Sequence, residues 1–197
     1  MQVPKDEIRS RILLSATEEF YLHGYKNASM RTIAENADIT IGNIYSYFKG
    51  KEDLFSCTLE GVLSGLEVLI STIYKNEDYK SVSLSEAADL ICSIFEENKK
   101  AFMIIISGSE GTAYHKVKGQ IAEWVRIRLT ADFLPYISEE GCSDELAKGL
   151  SAAVLEGIVS IMRSCFDDSK KMRADILRLL EIIVGSSLNK DVKRMHE

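Results

Sequence analysis

The chain has 197 residues, of which 46% are apolar, 27% are charged and two are proline, and its formal net charge is −6. This is the composition of a globular protein able to bury a core, and the negative charge argues against indiscriminate binding to nucleic acid. With so few prolines and with Leu, Ile, Ala, Glu and Lys abundant, we predict an all-α fold.

Neither a membrane span nor a cofactor site is indicated by the sequence. The N-terminus lacks the apolar core of a signal peptide and no apolar run approaches about 18 residues, so we expect a cytoplasmic protein. The cysteines and histidines are scattered, without the spacings of a metal site, so we expect reduced thiols, no metal and no cofactor. These residues are Cys57, Cys92, Cys142, Cys165, His23, His115 and His196.

The first predicted helix runs from about residue 6 to residue 23. Ile12, Ala16 and Phe20 recur every four residues and form an apolar stripe. Gly24 follows at the position of a C-terminal stop.

Two short helices joined by a tight turn are predicted next. Ser29 is a suitable N-cap for a helix that residues 36–38 interrupt, and Thr40 is a suitable N-cap for a third helix. This arrangement matches a helix-turn-helix, although Ala37 and Asp38 occupy the turn, where glycine is usual.

Positive charge is concentrated around these helices. Residues 24–51 carry four cationic and two anionic side chains, although the chain as a whole is acidic. A basic patch on an acidic body is compatible with a small, shaped contact to DNA.

Six further helices are predicted after residue 50, which makes about nine in all. Their predicted spans are 51–74, 84–98, 101–107, 114–134, 144–165 and 170–188. A small basic unit meets a larger helical body near residue 50, so we predict two domains, 1–50 and 51–197.

The last two helices have the most regular pattern. One presents a row of large apolar residues beside a row of small ones, and the other repeats apolar residues every four positions. This pattern fits either core packing within one chain or a homodimer interface, and we favour the homodimer. The predicted interface residues are Leu150, Val154, Gly157, Ile158, Ile161, Ile176, Leu180 and Ile183.

The run TIGNIYSYF combines small, polar and aromatic residues on the third helix. In a DNA major groove Asn43 can read an adenine edge, and Gly42 permits close approach of the backbone. Tyr45 and Tyr47 can offer hydroxyl groups to phosphates. The alternative is that the aromatic residues belong to the core and Asn43 only caps a turn, and we accept the core assignment for Phe48.

Three stretches together resemble the DNA-binding domain of the TetR family of bacterial transcriptional repressors. They are AxxxF followed by HGY within residues 16–25, SMRTIAENADIT at residues 29–40 and GNIYSYFKGKEDLF at residues 42–55. The resemblance covers residues 8–55, about a quarter of the chain. The remainder matches the family only in the number and length of its helices.

The resemblance implies DNA contacts at the matching positions. Contacts to bases are expected from Arg31, Gly42, Asn43 and Tyr45. Contacts to phosphates are expected from Ser29, Tyr47 and Lys51, and further DNA contacts are expected from Thr40 and Ile41. Ile41 departs from the family pattern, in which this position is often polar or basic, and it can offer only an apolar contact such as one to a thymine methyl group. Ser46 stands where the family frequently has histidine, which weakens one contact.

The resemblance also implies a dimer whose helical body binds a small, largely apolar effector. The effector would act through the helix that begins at residue 51 and would change the separation of the two recognition helices, which is about 34–36 Å when they fit successive major-groove faces. The predicted effector-binding residues are Phe95, Phe102, Met103, Ile106, Trp124 and Arg128. Core packing is the alternative for the apolar residues, and an ion pair with Glu123 or Asp132 is the alternative for Arg128.

The implied function is that of a repressor that binds a palindromic operator as a dimer and is released by a small molecule. The alternative is a helical protein-interaction module without sequence-specific DNA binding. Catalysis is not indicated, because SGSEG at residues 107–111 lacks the GxSxG pattern and the preceding strand of a nucleophile elbow.

Overall fold

The structure, a computed structural model, describes residues 5–75, 83–132 and 143–194, and it describes the side chains of residues 5–71, 83–130 and 143–183. Nine α-helices and no strand occur within these ranges, which confirms the predicted all-α class. The helices are α1 (Lys5–Asn27), α2 (Met30–Asn36), α3 (Ile41–Ile44), α4 (Lys51–Lys75), α5 (Leu84–Glu97), α6 (Lys99–Met103), α7 (Val117–Asp132), α8 (Asp144–Ser164) and α9 (Ser169–Arg194).

The chain forms two compact units. Unit 1 contains Met1–Glu67 together with Glu97–Val117, and unit 2 contains Val68–Glu96 together with Lys118–Glu197. The predicted domain boundary at residues 50 and 51 stays a prediction. In the structure, the first two-thirds of α4 and a later stretch of chain pack with the N-terminal helices.

Helix α1 is bent at Gly24. The backbone of Gly24 has φ 67° and ψ 170°, so the chain leaves the helix there and forms one more turn up to Asn27. This combination of angles is open essentially only to glycine. The predicted stop at Gly24 is therefore a kink, which turns the chain toward the start of α2.

An aromatic cluster holds α1 against α4 in unit 1. The rings of Phe20 and Phe55 meet edge to face with their centroids 4.9 Å apart, and both side chains are fully buried. Tyr25 packs on Phe55 at 5.0 Å, and Tyr114 lies 6.0 Å from the same ring. Phe55 thus joins three parts of the chain that are distant in sequence.

Helix α4 is apolar enough to raise the question of a membrane span. Its residues Lys51–Ser71 have a mean hydropathy of 1.5 over a sufficient length. Leu54, Phe55, Leu59 and Val62 are nevertheless fully buried within unit 1, which is the packing expected of a core helix.

The second stretch of unit 1, Glu97–Val117, is here called the docking segment. It contains α6, a π-helical turn at Ile104–Gly108 and a 3₁₀ turn at Ala113–Lys116. Every side chain from Ala101 to Ile106 is buried, as its near-continuous apolar sequence predicts.

Three contacts fix the docking segment to α1. The backbone of Gly108 passes so close to Gly24 that a Cβ atom added at Gly24 would lie 3.3 Å from the Gly108 carbonyl oxygen. Lys26 forms an ion pair with Glu110 at 3.0 Å. Lys100 pairs with Glu18 of α1.

Ser109 of SGSEG and the nearby Thr112 form structural hydrogen bonds in this segment. The Ser109 side chain is buried and donates a hydrogen bond to the carbonyl oxygen of Ile105 at 2.9 Å. The Thr112 hydroxyl donates to the Ser109 carbonyl oxygen at 2.7 Å. Both hydroxyl groups therefore close the turns that follow the π-helix, as local side-chain to backbone bonds commonly do.

Unit 2 is built around α8 and α9. Gly157 of α8 faces Leu179 of α9 so closely that a Cβ atom at Gly157 would lie 2.8 Å from a Leu179 methyl carbon. Arg173 of α9 pairs with Asp89 of α5 and also donates to the Ser85 hydroxyl at 2.9 Å. The small row on α8 therefore serves close packing within one chain at this point.

Most predicted helices are present with ends within a few residues. The structure begins α7 at Val117, after a 3₁₀ turn, whereas the sequence predicts a helix from residue 114. The predicted loop at residues 75–83 and the predicted end near Pro135 fall largely outside the described residues, as does Cys142. Cys92 and Cys165 are buried and Cys57 is half-buried.

Replacing Gly24 by alanine is expected to destabilise unit 1 by about 1–3 kcal/mol, because alanine is strained at this φ and ψ and its methyl group would press on the backbone of Gly108. Urea denaturation followed by circular dichroism measures the change. Gly119→Ala is the matched control, because Gly119 lies within α7 with open space around it, and it is expected to be neutral or stabilising by up to about 1 kcal/mol. Equal stability of the two variants would contradict the proposed strain.

Candidate nucleic-acid interface

Helix α2 begins and ends where the sequence predicts. The Ser29 side chain accepts a hydrogen bond from the Thr32 N–H at 3.3 Å, which makes Ser29 the N-cap. Ile33 and Ala34 are buried, and α2 ends at Asn36. The apolar side of this helix therefore faces α1, and the helix is held at its first turn.

Asp38 occupies the left-handed position of the turn between α2 and α3. Its φ is 54°, a value that aspartate tolerates better than most residues other than glycine and asparagine. The Arg11 guanidinium of α1 donates to the carbonyl oxygens of Ala37 and Asp38 and lies 3.5 Å from the Asp38 carboxylate. The turn is thus fixed to α1 without the usual glycine.

Helix α3 is a single turn, Ile41–Ile44. The Thr40 side chain caps it by accepting from the Asn43 N–H at 3.3 Å. Tyr45 keeps helical angles, with φ −67° and ψ −10°, and hydrogen-bonded turns continue through Tyr47. The sequence analysis predicts a short third helix with Thr40 as its N-cap, and the structure has this cap on a helix of four residues.

The residues of the TIGNIYSYF run divide clearly between core and surface. Ile44 and Phe48 are buried, at 0% and 2% exposure, whereas Ile41 and Tyr45 are 44% and 55% exposed. Asn43 and Tyr47 are half-buried, and Thr40 and Gly42 are exposed. The core assignment is therefore right for Phe48 and wrong for Tyr45.

The two cations with predicted DNA contacts, Arg31 and Lys51, already have intramolecular partners. Arg31 is exposed and pairs with Glu35 one turn later, at 2.9 Å. Lys51 donates to the Lys26 carbonyl oxygen at 3.3 Å and lies over the Tyr25 ring, 4.9 Å from its centroid. A phosphate would therefore compete with an intramolecular partner at each of these side chains.

Lys51 links α4 to the end of α1. Burial lowers the pKa of the Lys51 ammonium below its usual value, and the charge of Glu19 partly opposes this effect. Two residues before Lys51, the backbone N–H of Lys49 donates a hydrogen bond to the Asp53 carboxylate at 2.8 Å. This bond caps the start of α4. Lys51 therefore has a structural contact in addition to its predicted phosphate contact.

Glu19 is a buried carboxylate that the sequence analysis does not identify. It is 5% exposed, one oxygen accepts the Ser29 N–H at 2.8 Å, and the other lies 3.8 Å from His23 Nε2. It thus faces two residues with predicted phosphate contacts, Ser29 and Lys51. The sequence feature that could have indicated its burial is its position beside the apolar stripe of α1, three residues after Ala16.

The predicted effector-binding residues are divided between the two units. Phe102, Met103 and Ile106 are buried in unit 1, whereas Phe95 is buried and Trp124 and Arg128 are half-buried in unit 2. The carboxylate of Glu123, considered as a partner of Arg128, binds Arg126 at 2.6 Å. The effector site stays a prediction.

The predicted dimer residues also differ in burial. Val154, Ile158 and Ile176 are buried within the single chain. The others are half-buried, namely Leu150, Gly157, Ile161, Leu180 and Ile183. The dimer interface stays a prediction, and the half-buried residues are the ones that leave surface for a partner.

The geometry defines a helix-turn-helix domain of the DNA-binding class. Two short helices meet at a left-handed turn, α2 packs against α1 and α3 packs against α2, and the outer side of α3 is polar and aromatic. This geometry defines a class of fold and does not by itself define a family.

Residues 12–56 match the family model described as bacterial regulatory proteins, tetR family. Over these residues the chain is therefore similar to the TetR family of bacterial transcriptional regulators.

Two similar relatives are regulators of transcription. The chain is 25% identical over 134 residues to the HTH-type transcriptional activator FasR of Mycolicibacterium smegmatis, a match that covers 66% of this chain and 57% of FasR. It is 28% identical over 99 residues to the HTH-type transcriptional regulator HbdR of Aromatoleum sp. strain CIB, covering 50% of this chain and 43% of HbdR. The matches thus span about half the length of these relatives.

The fold extends the likeness beyond the N-terminal domain. The crystal structure of native NalD from Pseudomonas aeruginosa covers 91% of this chain and 96% of its own, with a TM-score of 0.59 and 20% sequence identity. At this identity the likeness concerns the fold alone, and it confirms the all-α class of the residues that the structure describes.

Replacing Glu19 by alanine is expected to destabilise the protein by about 1–3 kcal/mol, because the partly buried Ser29 N–H loses its charged acceptor. Glu18→Ala is the matched control. Glu18 precedes Glu19 on α1, and the side chains of its pair with Lys100 are 44% and 40% exposed, so solvent weakens the pair and a loss of at most about 1 kcal/mol is expected. Thermal unfolding of both variants tests the difference, and an equal loss would contradict a structural role for the Glu19 carboxylate.

Proposed function

We propose that this protein is a homodimeric regulator that binds a palindromic operator through α2 and α3, represses transcription in the bacterial cytoplasm and is released by a small-molecule effector. The observation that carries the proposal is the outer surface of α3. Ile41, Gly42 and Tyr45 are exposed there while Ile44 and Phe48 anchor the same turn in the core.

The chemistry of this surface supports a DNA ligand. The amide of Asn43 offers a donor and an acceptor to an adenine edge, and Thr40 offers a hydroxyl group. Gly42 leaves space around its Cα, where the nearest atom to an added Cβ would be the Thr40 hydroxyl oxygen at 4.0 Å. A small polar surface with little side-chain bulk at its centre is suited to entering a major groove.

Dimerisation is supported by apolar surface on the last two helices. Leu146 of α8 is 54% exposed and Ile182 of α9 is 64% exposed, close in sequence to the half-buried residues of the predicted interface. A homodimer carries two copies of α3, and a palindromic operator requires them to be about 34–36 Å apart to reach successive major-groove faces.

Effector release requires that a change at the effector-binding residues reaches α1. The chain passes between the units after Glu67, after Glu96 and after Val117. The docking segment lies between the last two crossings and is fixed to α1 at Gly24 and Lys26. We infer that this segment carries the signal together with α4, and that the effector acts by its different affinity for two arrangements of the segment.

Repression is the simplest regulatory effect of such a dimer, because a bound operator blocks access to a promoter that it overlaps. FasR, by contrast, is described as an activator. The sign of regulation depends on where the operator lies relative to the promoter, so activation by the same DNA-binding surface is the second candidate.

Selection of bound duplexes from a randomised pool tests the proposal. Enrichment of a palindrome is expected, with an affinity that falls steeply as salt rises because phosphates are contacted on both half-sites. Asn43→Ala combined with Tyr47→Phe is expected to weaken binding by about 10- to 100-fold. Tyr21→Phe on α1 is the matched control and should bind as the wild type does.

The contrary result of the selection would be a folded dimer that enriches no sequence. It would remove the DNA-binding assignment and favour the protein-interaction module. A bound sequence without palindromic symmetry would remove the twofold arrangement alone.

Replacing Gly42 by alanine is expected to separate stability from binding. The added methyl group has open space and favours the helix, so the fold should be unchanged or stabilised by up to about 1 kcal/mol. The same methyl group would stand between the backbone and the base edges, which should weaken operator binding about tenfold or more. Denaturation and operator titration of the same sample measure both effects. Unchanged affinity would show that the backbone at this position does not approach DNA.

A further inference from the structure

Ile41 and Tyr45 form an exposed apolar pair on the outer side of α3. Their exposed fractions are 44% and 55%. They are four residues apart, and Tyr45 keeps helical backbone angles, so the two side chains lie on the same side of the turn.

Neither side chain is among the buried residues of this turn. The apolar residues that hold this turn in unit 1 are Ile44 and Phe48, which are buried. Placing a branched aliphatic side chain and an aromatic ring in water at the end of a one-turn helix leaves apolar area available to a ligand.

We propose that Ile41, flanked by the Tyr45 ring, binds the 5-methyl group of a thymine in the major groove, so that the operator carries thymine at this step of each half-site. This inference rests on the proposed function. The thymine methyl is the apolar group that base pairs display in the major groove, whereas the other major-groove groups are hydrogen-bond donors and acceptors.

The surroundings of the pair favour DNA over a protein partner. Thr40 and Asn43 supply hydrogen-bonding groups beside the apolar pair, and residues 24–51 are net positive in a chain whose net charge is −6. A protein interface needs about 800 Å² on each side, far more than two side chains supply. A methyl group between two phosphate backbones matches both the size of the pair and the charge around it.

The proposal predicts discrimination by a methyl group and not by base pairing. In the selected operator, each thymine is replaced in turn by deoxyuridine, which lacks only the methyl group. At the contacted step the wild type should lose about fourfold in affinity per half-site. At the same step, 5-methylcytosine should bind about fourfold more tightly than cytosine, since that pair of bases also differs only by a methyl group.

The protein variants assign the effect to Ile41. Two affinity ratios are compared, that of thymine to deoxyuridine and that of 5-methylcytosine to cytosine at the contacted step, and they are here called the methyl ratios. With Ile41→Ala both methyl ratios should fall toward one. Ile41→Val keeps the branched side chain and should retain most of each ratio. Leu14→Ala is the matched control, because Leu14 is an exposed leucine on α1, at 73% exposure, and its removal should leave both ratios unchanged.

Each outcome decides the proposal. Wild-type binding to a palindrome with no thymine sensitive to deoxyuridine would overturn the methyl contact and leave the proposed function intact. Methyl ratios that persist in Ile41→Ala would overturn the role of Ile41 and point to another residue. Failure to select any operator would overturn this inference and the proposed function together.

Discussion

The close backbone contact between Gly24 and Gly108 is the constraint on which unit 1 depends. A side chain at Gly24 would separate α1 from the π-helical turn, since an added Cβ would lie 3.3 Å from the Gly108 carbonyl oxygen. The same kink at Gly24 directs Tyr25 toward Phe55 and brings the end of α1 to Lys51, whose ammonium bonds the Lys26 carbonyl oxygen. The docking segment, the start of α4 and the entry to α2 therefore meet at one bend in the chain, so a change in any of them changes the support of the others.

Much of unit 1 could be predicted from the sequence because its signals are local. The caps at Ser29 and Thr40 depend on residues within three positions, and the inward direction of Ile44 and Phe48 follows from helical spacing. The family resemblance adds the order of the helices and the candidate DNA-binding residues. Burial within one chain explains why Val154, Ile158 and Ile176 cannot be assigned to an interface from their pattern, because core and interface residues have the same apolar spacing.

What could not be predicted involves partners distant in sequence. From the sequence alone, Glu19 would be assigned to the surface. In the structure it accepts a hydrogen bond from the Ser29 N–H, and its charge acts on the Lys51 ammonium. The sequence analysis places the docking segment in the larger helical body. The contacts of Gly108 and Glu110 with α1, which the sequence does not reveal, place it in unit 1.

A recognition helix of one turn is too short to be stable by itself, since nucleation of a helix is unfavourable and longer segments are needed in water. Its geometry must come from what surrounds it. Arg11 holds the turn before α3, Thr40 caps its first residues, and the burial of Ile44 and Phe48 holds its far side. Fixing one residue costs about 1–2 kcal/mol of conformational entropy, and here that cost is met during folding. A ligand of α3 would therefore meet side chains already in place, so the short helix is compatible with tight and selective binding.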